Sequence, residues 1–282
     1  MHAKSLRLLE QIKEVIEGYD FALTLRQIYY QLVAKQIIPN EQKYYGQLSR
    51  LCVIGRDERM LPEDMFADRL RQIDKPSAWK NLKDFMVTVK WAYSKDKWID
   101  QDKYIEIWTE KDALRGVIDT VTHAFGVGLL VVRGQVSRTA IYESYKRISK
   151  QVMDGKECHL YYFGDFDPSG LSIYDSLVER LERFGPLGTD IHFERIALTA
   201  DQIAEYNLPQ DPAKQSDPNY RKFVAKYGDN VVELDSLPPD ALRDLIKDCI
   251  RPNIDEDILL QTQEMEQEET KKLQEFVKGL SL

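Results

Sequence analysis

A chain of 282 residues, 43% hydrophobic and 30% charged, has the composition of a folded protein with room for about two domains. No apolar run approaches the roughly 18 residues of a membrane span, and Met1-His2-Ala3-Lys4-Ser5 lacks an apolar signal core, so a cytoplasmic protein with no membrane partner is expected. Cys52, Cys158 and Cys249 lie too far apart for paired zinc-ligand spacing or a disulfide framework, and a net charge of −8 argues against binding nucleic acid by bulk attraction. The charge is uneven: residues 1–100 carry 17 Lys+Arg against 14 Asp+Glu, and residues 101–282 carry 22 against 33. Any phosphate-binding face is therefore expected in the amino-terminal third.

There, Thr24 is a plausible N-cap for a helix over Leu25–Val33, in which apolar residues recur at helical spacing. Ile38-Pro39-Asn40 makes a turn, and Gln42–Asp57 reads as a second helix carrying Lys43, Arg50 and Arg56, candidates for DNA contact. Tyr29 and Tyr30 sit beside Ile28, Leu32 and Val33, a pattern that also suits amphipathic core residues with satisfied hydroxyls. Arg69–Asp100 holds Trp79, Trp91 and Trp98 among many charges, and the tryptophans are expected to anchor an interface between domains. Breaks at Lys75-Pro76-Ser77 and before Lys103 divide the chain into 1–75, a connecting segment 76–102, and 103–282.

From Tyr104 the pattern alternates between strands and helices. Tyr104–Glu110 reads as a strand passing into a helix over Lys111–His123, and Gly128–Gly134 reads as a strand before a helix over Ser137–Met153. The junction Arg133-Gly134-Gln135-Val136-Ser137 is either an ordinary turn capped by Ser137 or a site where exposed amides approach a phosphate, with Arg133 a further candidate for DNA contact. A third strand leads into Gly164-Asp165-Phe166-Asp167-Pro168-Ser169-Gly170. This order favours a parallel sheet with right-handed crossovers, which gathers Glu110, Asp165 and Asp167 at one sheet edge. Alternate strand residues share a face, so Asp165 and Asp167 are expected to point the same way and to require a cation. Hard carboxylate oxygens suit magnesium, or manganese in its place, and hence metal-assisted phosphoryl chemistry.

Further on, Asp190–Leu198 and Asn230–Leu237 read as strands, and Tyr206–Lys226 as an extended loop whose Lys214, Arg221, Lys222 and Lys226 flank a groove. Glu233 and Asp235 read either as a solvated strand end or as outer ligands of the metal site. Beyond Pro252 a long amphipathic helix is expected to dock on the sheet core or on a second subunit. No Gly-rich phosphate loop of the Walker type is present.

Glu110-Lys111-Asp112-Ala113 together with Gly164-Asp165-Phe166-Asp167-Pro168-Ser169-Gly170 resembles the Toprim domain, the metal-binding module of topoisomerases, primases and several nucleases. The wording is most similar to the A subunit of topoisomerase VI and its meiotic double-strand-break relatives. That resemblance implies a mixed α+β and α/β protein: a winged-helix domain with a helix-turn-helix, followed by a Toprim domain whose mainly parallel sheet is flanked by helices. It implies a magnesium site at Glu110, Asp165 and Asp167, duplex DNA as partner, a homodimer and a separate ATPase subunit. Arg26-Gln27-Ile28-Tyr29-Tyr30 resembles the family's tyrosine motif. Carried over, Tyr30 of one subunit is the nucleophile on a phosphate held by the partner's metal site, with Arg26 one turn before it. Gln27 departs from the acid usual in that motif. The Toprim subunit of Wadjet plasmid-defence systems, by analogy, implies hydrolysis without a tyrosine, in which Lys111 or Arg133 helps neutralise the transition state. A non-catalytic DNA-binding or assembly subunit stays open beside both.

Overall fold

A computed structural model of the chain describes residues 3–67, 76–132, 134, 136–185 and 187–279. The amino-terminal part is helical: α1 (Ala3–Glu17), α2 (Leu25–Ala34) and α3 (Gln42–Asp57) enclose a core of Leu9, Ile12, Ile16, Leu23, Ile28, Leu32, Leu48 and Cys52. Thr24 and Gln27 form a reciprocal capping box that satisfies two orphan amides at the start of α2. Gln27 is thus a buried cap residue. A single parallel bridge, Leu23 to Phe66, ties the segment after α3 back to the entry of α2. The connecting segment contains α4 (Leu82–Ala92).

The expected alternation then appears: β1 (Lys103–Thr109), α5 (Arg115–Phe125), β2 (Gly128–Val131), α6 (Arg138–Met153), β3 (Glu157–Phe163), α7 (Pro168–Glu182) and β4 (Ile191–Ala197). All four strands pair in parallel in the order β2-β1-β3-β4. The chain leaves β1 toward one side and β3 toward the other, so the order reverses between these neighbours. Right-handed crossovers then put α5 on one face and α6 with α7 on the other. Two cores result. Ile105, Ile107, Tyr161 and Phe163 pack on the α5 side, and Trp108, Leu160 and Tyr162 on the α6–α7 side.

After β4 come α8 (Ala200–Glu205), the two-residue strands β5 (Asp211–Pro212) and β6 (Asn230–Val231) with α9 (Tyr220–Tyr227) between them, α10 (Pro239–Ile250) and α11 (Glu256–Gly279). Three expectations are corrected here. The expected loop Tyr206–Lys226 contains the start of α9, because Phe223 and Tyr227, four residues apart, close on Phe166 and give the segment an apolar face. The expected strand Asn230–Leu237 ends early: after a bridge from Val232 to Phe166 the chain turns into a 3-10 helix over Leu234–Ser236. Of the tryptophans, Trp98 is buried and donates to the Phe125 carbonyl, whereas Trp79 and Trp91 are exposed. Helix α11 docks on α4, where Tyr93 and Lys95 bind Glu269. Among the described residues no helix is long and apolar enough to cross a membrane.

Candidate functional site

The carboxyl ends of β1 and β3 flank the point where strand order reverses, the crevice in which open α/β sheets place ligands. Glu110 follows β1 and Asp165 follows β3. They are joined directly: the Asp165 amide donates to Glu110 Oε1 at 2.7 Å, and the Tyr162 hydroxyl donates to Oε2 at 3.2 Å. Burial, then the neighbouring Asp165 charge, pushes the Glu110 carboxyl up to about 7. β3 ends at Phe163, so the two aspartates stand in a turn and do not share a strand face as the alternation predicts. Asp165 turns inward, its Oδ1 accepting from the Leu234 amide at 2.8 Å. Asp167 instead caps α7, with Oδ1 accepting from the Gly170 amide at 2.5 Å, and Pro168 takes the first helical position. Burial raises the Asp167 pKa, although the Gly170 amide opposes this.

Gly170 is required by a close approach. A Cβ there would lie 2.5 Å from the Asp165 carbonyl oxygen, so only glycine lets α7 start against the turn. Arg195, on β4, holds the same backbone from behind, donating to the Asp165 carbonyl at 2.7 Å. Sequence reasoning did not single out Arg195. Its placement at the strand beside β3 is a product of sheet order.

Two more acids join from the 3-10 segment. Lys111 Nζ lies 2.7 Å from Asp165 Oδ2, 3.4 Å from Asp235 Oδ2 and 3.4 Å from Glu233 Oε2. Burial opposes the Lys111 charge, but Asp165, Asp235 and Glu233 outweigh it and raise the pKa. Asp235 is only 1% exposed, and neither of its carboxylate oxygens accepts a hydrogen bond among the described residues. Burial pushes its pKa up. The reading of Asp235 as part of a solvated strand end is corrected: Asp235 is buried beside Lys111, whereas Glu233 stays partly exposed. Their two-residue spacing was the available signal.

Glu106 differs from these acids. That buried carboxylate on β1 is held by Arg147 at 2.6 and 2.9 Å, by Trp108 Nε1 at 2.8 Å and by the Tyr104 hydroxyl at 2.5 Å. It is fully satisfied and therefore structural. Asp235 accepts no hydrogen bond and shares the Lys111 ammonium with Asp165. Carboxylate oxygens of this kind suit a hard divalent cation, although among the described residues the acids of this cluster do not converge closely enough to share an ion without rearrangement.

The amino-terminal helices close over this edge. Arg26 binds Glu233, whose Oε2 also faces Lys111. Asn40 Nδ2 donates to Asp211 at 3.0 Å, and Arg243 reaches Asp20 at 3.2 Å. Between the two parts lies a cleft of about 470 Å³, lined by Arg26, Tyr30, Tyr45, Asp167, Ser169, Lys214 and Glu233 among others. Tyr30 therefore shares a cleft with Asp167 of its own chain. Its side chain is largely buried. Burial, then Glu233, raises the phenol pKa, while Arg26 opposes this.

The structure does not gather the candidate basic contacts on α3 into this cleft. Lys43 pairs with Glu41 at 2.7 Å, Arg50 donates to the Gly46 carbonyl of its own helix, and Arg56 is turned onto Glu63 and the Phe66 ring. Ser137 caps α6 through the Ala140 amide, and Arg133 lies outside the described residues. Comparison of the chain with protein-family models, curated proteins and solved structures gave no match.

Proposed function

We propose that this chain is a magnesium-dependent, DNA-cleaving protein of the Toprim class, with its amino-terminal helices serving as a winged-helix DNA-docking domain. The observation that carries the reading is Asp235, a buried carboxylate with no hydrogen bond to either oxygen, which shares the Lys111 ammonium with Asp165, itself bonded to Glu110 at the reversal of a parallel sheet. Glu110, Asp165 and Asp235 would hold the ion, with Asp167 facing the cleft. When bound, magnesium supplies charge neutralisation at phosphate oxygens. The chain's own residues supply the remainder: Arg26 and Lys214 are the cations of a cleft wall that also carries Glu41, Asp167, Asp211, Asp217 and Glu233, so a bound cation is needed there to admit phosphate.

Hydrolysis is the favoured form. Water attacks phosphorus and gives its proton to a cleft carboxylate, Asp167, while one ester P–O bond breaks and the departing sugar oxygen takes a proton from solvent. Tyr30 is a poorer nucleophile because burial and Glu233 oppose its ionisation. The transesterification reading retains one specific support, the Tyr30 hydroxyl in the cleft that Asp167 lines. A homodimer and a separate ATPase subunit belong to that second reading.

The test is incubation of supercoiled plasmid with purified protein and magnesium or manganese, followed by detergent and protease. Free ends that persist in Tyr30→Phe and disappear in Asp165→Asn support hydrolysis. Protein-linked ends that vanish in Tyr30→Phe establish transesterification. Tight DNA binding without cleavage under either metal overturns both, in favour of a non-catalytic DNA-binding or assembly subunit.

A further inference from the structure

The opposite end of the sheet carries a second constellation. Glu157 and His159 alternate on one face of β3, and β4 runs beside it with His159 in register with His192. Glu157 Oε1 lies 2.8 Å from His192 Nε2 and 3.3 Å from His159 Nε2, and the three donor atoms all lie within 4.8 Å of one another. The two imidazoles stack at 4.8 Å between centroids and 17° between planes. These residues stand where β3 and β4 begin, whereas Glu110 and Asp165 stand where β1 and β3 end.

We propose that Glu157, His159 and His192 form a binding site for a borderline transition-metal dication, with zinc the best match. Three features carry it. First, the donor set is two imidazole nitrogens and one carboxylate, which suits zinc and leaves a fourth position open. Tetrahedral zinc with bonds near 2.05 Å places its ligand atoms roughly 3.3 Å apart; His159 Nε2 and the Glu157 oxygen already stand at 3.3 Å, and His192 Nε2, at 2.8 Å from the same oxygen, has to draw back slightly to admit the ion. Second, His159 is nine-tenths buried, yet its Nε2, which faces the cluster, has no hydrogen-bond partner. The Glu157 oxygen is near enough to attract it but lies outside hydrogen-bond geometry. A cation between the three groups satisfies this orphaned atom, which neither tautomer of the apo ring does.

Third, the other side of the His159 ring is already held. Its Nδ1 lies 3.4 Å from the Tyr161 hydroxyl oxygen, and Asn253 Nδ2 donates to that oxygen at 2.8 Å. With Nε2 on a metal, Nδ1–H donates to Tyr161, the outer support that fixes ring orientation in metal sites. Burial also lowers the His159 pKa, keeping the imidazole neutral and its lone pair available. The nearby cation Lys103 is engaged by Asn253 Oδ1 at 2.9 Å, and Glu194 adds negative charge on the next position of the same face of β4. A metal here would pin the edge strand β4 to β3 at their starts.

The experiment is zinc titration of the full chain by calorimetry, with cobalt(II) as an optical probe. It compares wild type, His192→Gln, Glu157→Gln and Asp165→Asn. Both His192 and Glu157 are about 40% exposed, so either variant is expected to fold, and far-UV circular dichroism checks each. The expected result is one tight zinc per chain, retained in Asp165→Asn and weakened at least tenfold in either His192→Gln or Glu157→Gln. Zinc should also raise Tm by about 3 °C in wild type and not in His192→Gln. Cobalt(II) should give visible absorption of a low-coordinate site that His192→Gln abolishes. Zinc uptake unchanged in both site variants, or lost in Asp165→Asn alone, overturns the proposal.

Discussion

Arg26 on α2 and Glu233 before the 3-10 segment form the ion pair through which the amino-terminal helices hold the carboxyl edge of the sheet. The same Glu233 oxygen faces Lys111, and Lys111 faces Asp165 and Asp235. One continuous run of alternating charge thus links the tyrosine helix to the candidate metal site. Because Arg26 is 44% exposed and Glu233 33%, the pair itself contributes little to folding, about 0–1 kcal/mol. Arg26→Ala is therefore expected to leave Tm within a few degrees of wild type while lowering plasmid cleavage at least tenfold. Thermal denaturation and cleavage measured on the same preparation check this. Proportionate small losses in both would make the pair a surface contact only.

Lys111 occupies the centre of three carboxylates and is mostly buried, so its removal is a different case. In Lys111→Met, Asp165 and Asp235 lose their cation while the site stays closed to bulk water. Breaking a buried pair from one side costs about 3–5 kcal/mol, because the remaining charge is uncompensated. Loss of that order in urea denaturation at pH 7.5 is expected, together with partial rescue by millimolar magnesium. A variant as stable as wild type without metal would show that the acids are neutral there without Lys111.

Glu110 makes the apo protein sensitive to pH in a defined direction. Its folded pKa is raised from 4.5 to about 7, so the folded chain holds a proton that the unfolded chain has released. The resulting stability is fully present below about 4.5 and is lost as pH rises through about 7. Glu110→Gln should flatten that part of the profile. Magnesium prefers the ionised carboxylate, so its affinity in wild type should rise with pH up to about 7 and then level. Denaturation and calorimetry at pH 5, 6, 7 and 8 read both trends. A wild-type profile that Glu110→Gln reproduces would assign the slope to another group.

The sheet and its acids were legible because local signals agreed with the global arrangement. β1 and β3 are apolar runs of strand length, the first followed by a helix start and the second by a Pro/Gly turn, and their order forces Glu110 and Asp165 together. The N-caps Thr24 and Ser137 were readable for the same reason. Asp235 was not, because period-two alternation over residues 230–237 fits a strand as well as a short strand followed by a 3-10 turn, and only contact with Lys111 distinguishes them. Arg195 and the pairing of His159 with His192 depend on which strands become neighbours, a property of topology that no local window contains. Asp167 was legible as an acid at a strand end entering a Pro/Gly turn, but the helix α7 that follows was not, and the capping bond of Asp167 to Gly170 turns it from the strand axis toward the cleft.

Asp235 offers the sharpest separation of stability from function. Burial raises its pKa in the fold, so ionising it at neutral pH costs stability that its attraction to Lys111 only partly offsets. Asp235→Asn removes the buried charge, keeps the shape, and leaves Lys111 with Asp165 and Glu233. The apo variant is therefore expected to melt at or above the wild-type temperature at neutral pH, since a carboxyl with a raised folded pKa contributes less stability as pH rises. The same change deletes one of the hard oxygen donors, and magnesium affinity should fall at least tenfold, with cleavage falling in parallel. Differential scanning calorimetry without metal and titration with magnesium give the two readouts independently. A variant that is destabilised yet binds magnesium as wild type does would make Asp235 a structural partner of Lys111, and the metal site would then rest on Glu110 and Asp165 alone.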